Sequence, residues 1–311
     1  MRVVGDRKSC FQTFSLANIL LNLCYFQINR QKSLFNRKNT HVYRNQNLYN
    51  CGFIHYYCNK CKKDTKFMTG IILETAVPVR TEPSDKAEMV NQLIFGETYK
   101  VEELANNWLK IVSMHDSYPG WIDKKQHTDL KEKMVNTDVV YEECFIQHKA
   151  RGQVRVSAGS FLPSKEILHS FGFNDSEQRS KTELSIKNLY PKFMNAPYLW
   201  GGRTHFGIDC SGFTQLVYRM MGKSIPRDAS QQVELGKQVS FVEEAMDGDL
   251  AFFDNSEGKI THVGIIINTE ERKTIVHASG RVRLDKIDHQ GIYNAELKEY
   301  SHQLRTIKTI L

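Results

Sequence analysis

The sequence predicts an α+β protein in which small all-β modules precede a mixed core of helices and strands. Two observations support this prediction. Short apolar runs separated by polar turns fill residues 71–127, a pattern typical of a small β-barrel. Further along, one helical apolar pattern at 213–221 is followed by runs of β-branched and aromatic residues, which indicate strands.

Length and composition exclude several protein classes. The chain has 311 residues, of which 41% are apolar and 25% charged, so it can form a core and is not disordered throughout. No stretch approaches the roughly 20 apolar residues that a membrane helix needs, so no membrane partner is expected. The net charge of +7 would, taken alone, suggest a nucleic acid or an anionic surface.

That charge is concentrated at one end of the chain. Residues 1–67 hold 12 basic and 2 acidic residues, a net charge of +10, whereas residues 68–311 carry a net charge of −3. The first segment also has five of the seven cysteines and no Pro or Glu. Because 68–311 has no basic patch rich in aromatics, we expect no binding to nucleic acid.

Residues 1–67 allow several interpretations. Four of their side chains are of zinc-ligand type but include only one C-x-x-C pair: Cys51, His55, Cys58 and Cys61. A secretory signal is weak because Asn18 and Asn22 interrupt the apolar run. We interpret 1–67 as an atypical basic segment, disordered or not native, with the biological start at Met68. If the segment is native and targets the protein, export is the alternative.

Residues 68–128 are predicted to form one small barrel. Four motifs occur in order: Val79-Arg80-Thr81-Glu82-Pro83-Ser84, Phe95-Gly96-Glu97, Asn107-Trp108-Leu109-Lys110-Ile111 and Pro119-Gly120-Trp121-Ile122. They resemble the bacterial SH3-like domain, and the resemblance implies a module that binds or positions cell-wall peptides. Residues 129–182 are interpreted as a degenerate second SH3-like domain and a charged linker, followed by the core over 183–311.

A helix begins at or near Cys210. Its apolar positions recur at helical spacing and end before Gly222: Phe213, Leu216, Val217, Met220 and Met221. The helix dipole and the unpaired amides of a helix N-terminus lower the pKa of a thiol and favour the nucleophilic thiolate. The same amides can hold the oxyanion of a tetrahedral intermediate.

Two histidines follow on predicted strands. His262 opens an apolar run that ends at Ile267, and His277 lies within the run 274–280. A helix-borne Cys facing a strand-borne His, with a third polar group orienting that His, is the thiol-protease arrangement. Spacing alone leaves the alternative open that Cys210 is a small buried hydrophobe and each His a core residue.

Six linked motifs resolve this ambiguity by resemblance. In order they are Tyr198-Leu199-Trp200-Gly201-Gly202, Asp209-Cys210-Ser211-Gly212-Phe213, Ile225-Pro226-Arg227-Asp228-Ala229-Ser230, Gly248-Asp249-Leu250-Ala251-Phe252-Phe253, Thr261-His262-Val263-Gly264-Ile265 and Val276-His277-Ala278-Ser279-Gly280. This pattern resembles the NlpC-type cysteine peptidase family, which has a papain-like α+β core. The resemblance implies that Cys210 is the nucleophile, His262 the general base and His277 the residue that orients it. It implies neither a metal nor a cofactor.

The whole of 68–311 resembles the γ-D-glutamyl-L-diamino acid endopeptidases of murein-peptide recycling. These enzymes cut tri- and tetrapeptides with a free N-terminal L-Ala between γ-D-Glu and meso-diaminopimelate or Lys. By that resemblance the substrate-binding residues are Glu82, Tyr118, Tyr198, Trp200, Asp209, Ser211, Arg227, Asp228 and Ser230. The carboxylates of Glu82 and Asp209 are expected to pair with the substrate ammonium.

Other readings of the same residues stay open. Glu82 and Asp228 can be solvated turn residues, Tyr118 and Trp200 core aromatics, and Asp209 only a helix cap. For the whole chain the alternatives are an inactive wall-peptide binding protein and an NlpC-fold amidase or acyltransferase. We expect a monomer in the cytoplasm, because 68–311 has only two cysteines and no export signal. The sequence does not decide between Lys and diaminopimelate.

Overall fold

Two antiparallel seven-stranded sheets and one buried helix organise the computed structural model, which describes residues 68–131, 137–175, 185–270 and 272–310. The interpretation of residues 1–67 lies outside the described residues, as does most of the predicted linker at 177–187. The domain boundaries predicted from the sequence stay predictions.

The first sheet is built from residues 69–129. Its strands are β1 Thr69–Ile71, β2 Ala76–Arg80, β3 Met89–Ile94, β4 Thr98–Ala105, β5 Trp108–Ser113, β6 Pro119–Asp123 and β7 Thr128–Asp129, with a 3-10 turn at Lys124–Gln126 before β7. The order across the sheet is β3-β2-β6-β5-β4-β1-β7. Alternate side chains of the strands point to a core that includes Val77, Val79, Leu109 and Ile111, which confirms the predicted all-β module.

The middle region contains smaller elements. They are β8 Asp138–Val139, β9 Cys144–His148, β10 Gly152–Val156, β11 Phe161–Leu162 and helix α1 Lys165–Ser170. β9 pairs with β10 and β8 with β11, as two separate two-stranded sheets. Their apolar side chains share a core with Ile71 and Phe95 of the first sheet. A second SH3-like domain here stays a prediction.

The remaining elements form the predicted α+β core. They are α2 Ile186–Leu189, a 3-10 turn Tyr190–Phe193, β12 Arg203–Thr204, β13 Gly207–Ile208, α3 Cys210–Met220, α4 Ala229–Gln232, β14 Lys237–Val239, a 3-10 turn Val242–Glu244, β15 Leu250–Asp254, β16 Ile260–Asn268, β17 Lys273–Ser279, β18 Arg281–Ile287, β19 Gly291–Asn294 and β20 Glu299–Thr309.

The second sheet closes on itself. Its order is β14-β20-β15-β16-β17-β18-β19, and β19 also pairs with β20. The ring β15 to β20 is therefore a six-stranded antiparallel barrel, against which α3 packs through β16 and β17. This arrangement brings the histidine-bearing strands β16 and β17 to the helix that begins at Cys210.

Helix α3 is buried on every face, although its sequence predicts only one apolar face. The predicted apolar side packs on the second sheet, and Gly222 follows the helix at φ +77°. The polar side is covered by the first sheet and its turns: Gln215 donates to Asp116 Oδ2 at 3.0 Å, and Arg219 meets Glu97. The first sheet and its turns thus cover the side of α3 that faces away from the second sheet.

A buried cluster of charges joins the first sheet to the core. Glu97, in the turn between β3 and β4, lies 2.9 Å from an Arg203 nitrogen and 2.7 Å from an Arg219 nitrogen. His115 Nε2 lies 3.3 Å from the same carboxylate. Burial opposes the charge of Glu97, but Arg203, His115 and Arg219 outweigh it and lower the pKa of Glu97 to about 2.

Across the described part of the chain, no helix is both long and apolar enough to cross a membrane.

We predict that Glu97→Gln destabilises the protein by about 3–5 kcal/mol at pH 7, because two buried guanidinium groups lose their counter-charge. The pKa of Glu97 is below its ordinary 4.5, so its stabilising effect is full above that pH and disappears as the pH falls towards 2. The difference in the free energy of unfolding between the variant and the parent protein should therefore be smaller in acid. Urea unfolding at pH 7 and pH 3 measures this difference.

Glu74→Gln is the matched control. Glu74 pairs with Arg151 at 3.1 Å, but both side chains are substantially exposed, so the loss should stay below about 1 kcal/mol. Equal losses for the two variants would contradict the role assigned to the buried cluster.

Candidate active site

Cys210 is the first residue of α3, directly after the N-cap residue Asp209. Its side chain is buried, with the residue 5% exposed, and the main-chain N–H groups of Val263 and Ser211 donate towards Sγ. Val263 follows His262, the predicted general base, on β16, so this contact places that strand beside the thiol.

The electrostatics of the thiol differ from the sequence-based expectation. Burial, with a smaller contribution from the Asp209 carboxylate, raises the pKa of Cys210 to about 12, although the two amides act in the opposite direction. The expected thiolate at the helix N-terminus is therefore wrong for the free protein, since desolvation outweighs the helix end. The resting residue is a neutral thiol.

The two histidines form a hydrogen-bonded pair. His262 Nε2 and His277 Nδ1 are 2.8 Å apart, and both residues are buried. Burial is the main cause that lowers the pKa of each, and His277 further lowers that of His262. Both rings are neutral at pH 7, so His262 is able to accept a proton on the nitrogen that His277 does not use, Nδ1.

Gly264 makes room for this pair. It lies opposite His277 across β16 and β17. A Cβ on Gly264 would lie 2.9 Å from the Cβ of His277 and 2.7 Å from the Ile275 side chain. Glycine is therefore required for the close strand approach that brings His262, two residues earlier, into line with His277.

A third imidazole, His302 of β20, covers the face of His262. The ring centroids are 4.1 Å apart and the ring planes differ by 23°. Nitrogens of His262, His277 and His302 lie within 4.8 Å of one another. The nearly parallel planes of His262 and His302 keep their lone pairs from converging, which disfavours a metal ion in this arrangement.

Asp285 of β18 contacts the other side of His277. Its Oδ2 lies 3.1 Å from His277 Nε2, and Arg283 holds both carboxylate oxygens at 2.8 and 3.0 Å. Sequence reasoning missed this residue and His302. The sequence signal for Asp285 is the tight turn at Gly280, which sets the register of the hairpin β17–β18. In this register His277 lies opposite Arg283, so Asp285, two residues further on, is on the same face of the sheet as His277.

Asp209 is engaged on both oxygens. Oδ1 accepts from Gly212 N at 2.7 Å and from an Arg227 nitrogen at 3.0 Å, while Oδ2 accepts from Gly201 N at 2.8 Å and from the second Arg227 nitrogen at 2.5 Å. Ser211 Oγ also accepts from Arg227 at 2.9 Å. The contacts favour a cap and ion-pair role for Asp209 and leave little capacity for a substrate ammonium.

Arg227 ties this group to the first sheet. Its Nε donates to Asn91 Oδ1 on β3 at 2.8 Å, and the guanidinium is buried. The next residue, Asp228, makes a side-chain hydrogen bond with Tyr118, which lies in the turn between β5 and β6. Burial raises the pKa of Asp228 and raises that of Tyr118 to about 12. The structure thus brings together two of the predicted substrate-binding residues, whose substrate roles stay predictions.

Three further predicted residues differ in their surroundings. Trp200 is exposed, and its Nε1 donates to Glu88 Oε1 at 2.7 Å. Glu82 is exposed in the turn after β2. Within the described residues, the acid of this turn that contacts a predicted substrate-binding residue is Glu88, which accepts from Trp200. Ser230 lies exposed on α4. Substrate roles for Glu82 and Ser230 stay predictions.

Tyr198 lies beside the thiol. Burial raises the pKa of Tyr198 to about 12, and the charge of the Cys210 thiolate contributes to this shift. Its hydroxyl therefore stays protonated and is able to donate a hydrogen bond.

A buried cysteine at a helix start, next to the strand that carries one of a hydrogen-bonded pair of histidines, is the arrangement of a cysteine peptidase. The comparisons with known proteins agree with this class. A model of the NlpC/P60 family matches residues 195–301, and a model of the bacterial dipeptidyl-peptidase SH3 domain matches residues 79–126. The chain belongs to the NlpC/P60 family.

Two curated relatives match more than half of the chain. The chain is 32% identical over 204 residues to the gamma-D-glutamyl-L-lysine dipeptidyl-peptidase of Bacillus subtilis (strain 168), a match that covers 57% of this chain and 68% of that protein. It is 24% identical over 276 residues to dipeptidyl-peptidase 6 of Lysinibacillus sphaericus, a match that covers 74% of this chain and 96% of that protein.

Solved structures share the fold. An NlpC/P60 family protein from Bacillus cereus ATCC 10987 superposes with a TM-score of 0.60 at 20% identity, over 78% of this chain and 99% of that one. An NlpC/P60 endopeptidase from Photobacterium damselae subsp. piscicida superposes with a TM-score of 0.58 at 16% identity, over 78% of this chain and 71% of that one.

We predict that iodoacetamide alkylates Cys210 at a rate that rises about tenfold per pH unit between pH 7 and 9, because its pKa is about 12 and the thiolate is rare throughout. Peptide mass spectrometry distinguishes Cys210 from the other cysteines. Cys144, whose pKa burial raises to about 11, should show the same slope and is the internal control. A rate that is flat between pH 5 and 8 at Cys210 alone would indicate a preformed thiolate–imidazolium pair.

Proposed function

We propose that this protein is a γ-D-glutamyl-L-diamino acid endopeptidase that releases a dipeptide from murein peptides with a free N-terminus. The observation that carries the proposal is the buried His262–His277 pair, in which His262 lies on the strand whose Val263 N–H donates towards the sulfur of Cys210, at the start of α3. The names of the similar Bacillus and Lysinibacillus proteins support the dipeptidyl-peptidase class and γ-D-glutamyl-L-lysine as the substrate type.

The proposed reaction starts from a neutral thiol and a neutral imidazole. As the Cys210 sulfur bonds to the γ-carbonyl carbon of D-Glu, the thiol proton moves to His262 Nδ1 and the carbonyl electrons move to oxygen. The helix amides and the Tyr198 hydroxyl are positioned to donate to that oxyanion. His262 then gives its proton to the departing amine, and water cleaves the thioester with His262 again as the base.

Substrate selection is proposed to rest on the pair Asp228–Tyr118. Asp228 is half-buried and ionisable, and it lies next to Arg227, which neutralises Asp209. An ammonium in this partly dry environment gains a charged hydrogen bond from Asp228. A blocked terminus leaves the carboxylate without that partner, which disfavours N-acylated peptides.

We predict that Cys210→Ala abolishes release of L-Ala-γ-D-Glu from L-Ala-γ-D-Glu-L-Lys, with a loss of at least about 10⁴-fold because the nucleophile is removed. Liquid chromatography with mass spectrometry measures the product. Cys144→Ala, which removes the buried cysteine at the start of β9, is the matched control and should keep the parent rate. Dipeptide release by Cys210→Ala would refute the proposal.

We further predict that Asp228→Asn raises KM for the free peptide about tenfold or more, since a charge-assisted hydrogen bond is lost. The preference for free over N-acetylated peptide should largely disappear in this variant. Glu82→Gln separates the two candidate acids, because an effect confined to Glu82→Gln would move ammonium recognition to the turn after β2 and contradict the role of Asp228.

The proposal includes a monomer in the cytoplasm that takes part in the recycling of wall peptides. Both cysteines of the described residues are free thiols, which suits a reducing compartment. Light scattering on the purified protein and immunoblots of cell fractions test these two points. Exclusive recovery outside the inner membrane would contradict the location.

A further inference from the structure

A buried carboxylate extends the row of groups that starts at Cys210. His277 donates or accepts through both ring nitrogens: Nδ1 lies 2.8 Å from His262 Nε2, and Nε2 lies 3.1 Å from Asp285 Oδ2. His277 is 1% exposed and Asp285 is 7% exposed. Water therefore has little access to either hydrogen bond, and the protein groups determine where the protons lie.

The ionisation of Asp285 decides the direction of these hydrogen bonds. Burial opposes its charge, but hydrogen bonds from His277 and Arg283 lower the pKa of Asp285 below its ordinary value. An ionised carboxylate only accepts, so His277 must carry its proton on Nε2. Because His277 is neutral, its Nδ1 is then an acceptor, and His262 must donate from Nε2.

This leaves one nitrogen for the reaction. A neutral His262 protonated on Nε2 has its lone pair on Nδ1, which is the nitrogen that His277 does not use. The opposite tautomer of His277 would donate from Nδ1 to His262 Nε2. It would force the His262 proton onto Nδ1 and remove the base from the reaction.

We propose that Asp285 is a positioning residue that sets the tautomer of His262 through His277, so that His262 Nδ1 is free to take the thiol proton of Cys210. This inference rests on the proposed peptidase function. When the thiol proton reaches Nδ1, His262 becomes an imidazolium that keeps both N–H groups. Asp285 stabilises that charge through His277 without taking the proton, and Nδ1 later gives its proton to the leaving amine.

Arg283 holds the carboxylate in place for this role. It contacts both oxygens of Asp285, and it is itself held by Glu296 at 3.0 Å and by Asn294 Oδ1 at 3.2 Å. Arg283 keeps these two partners when Asp285 is replaced, so the hairpin β17–β18 should stay folded.

Asp285→Asn tests the inference, because an amide has the shape of the carboxylate but can donate to His277 Nε2 as well as accept. We expect kcat for L-Ala-γ-D-Glu-L-Lys to fall about 10- to 100-fold with KM unchanged, as for outer partners that orient a histidine. When His277 is already replaced by Gln, adding Asp285→Asn should not lower kcat further, because Asp285 acts on His262 only through His277. Glu74→Gln, which removes an exposed carboxylate paired with Arg151 and outside this row of groups, is the control and should keep the parent kcat.

Nitrogen-15 NMR of labelled histidines gives a readout that does not need turnover. In the parent protein both His262 and His277 should be protonated on Nε2, and Asp285→Asn should change the tautomer of His277. If the parent protein shows these tautomers but cleaves no γ-D-glutamyl peptide, the proposed function fails and the inference stands. Parent tautomers and parent kcat in Asp285→Asn would overturn the inference, as would a lowered melting temperature with unchanged kcat.

Discussion

The ion pair between Asp209 and Arg227 connects the start of the helix that carries Cys210 to the first sheet. Asp209 caps the helix whose first residue is Cys210, and its carboxylate is held by both nitrogens of the Arg227 fork. Arg227 in turn contacts Asn91 on the first sheet. Removing either charge would leave the other buried and unpaired, which is far more costly than losing a surface pair. The position of the thiol therefore depends on the first sheet as well as on its own helix.

The same burial decides the chemistry of the thiol. A helix N-terminus and nearby amides favour a thiolate, but removal of water raises the pKa of Cys210 by more than they lower it. Burial also keeps His262 and His277 neutral. A neutral pair needs its protons in the right places before substrate arrives, since a histidine with the wrong tautomer cannot act as a base. In the proposed mechanism, this requirement is met by the second histidine and the carboxylate that follow His262 in the row of hydrogen bonds.

Local motifs could be predicted from the sequence, whereas distant pairings could not. The helix at Cys210, the strands of His262 and His277 and the β-rich module at 69–129 all follow from short-range periodicity. Glu97 and its partner Arg203 are 106 residues apart, and nothing near either residue marks the pair. For the same reason the polar face of α3 resembles a solvated face in the sequence, although the first sheet buries it. By resemblance Glu82 and Asp209 were expected to bind an ammonium. Arg227, 18 residues from Asp209, stands in a motif of its own, but nothing local to either residue shows that the two form an ion pair.

Recognition of a chain end also explains how such a site selects a bond by its distance from that end. If Asp228 binds the substrate ammonium, as proposed, that ammonium is tied to the nucleophile, because the preceding residue, Arg227, holds the cap of the helix that carries Cys210. A peptide whose terminus is fixed at Asp228 would present one carbonyl to the thiol, and a peptide one residue longer or shorter would present a different atom. Since Tyr118 comes from the first sheet and Asp228 from the core, the proposed selection would depend on groups from both parts of the chain.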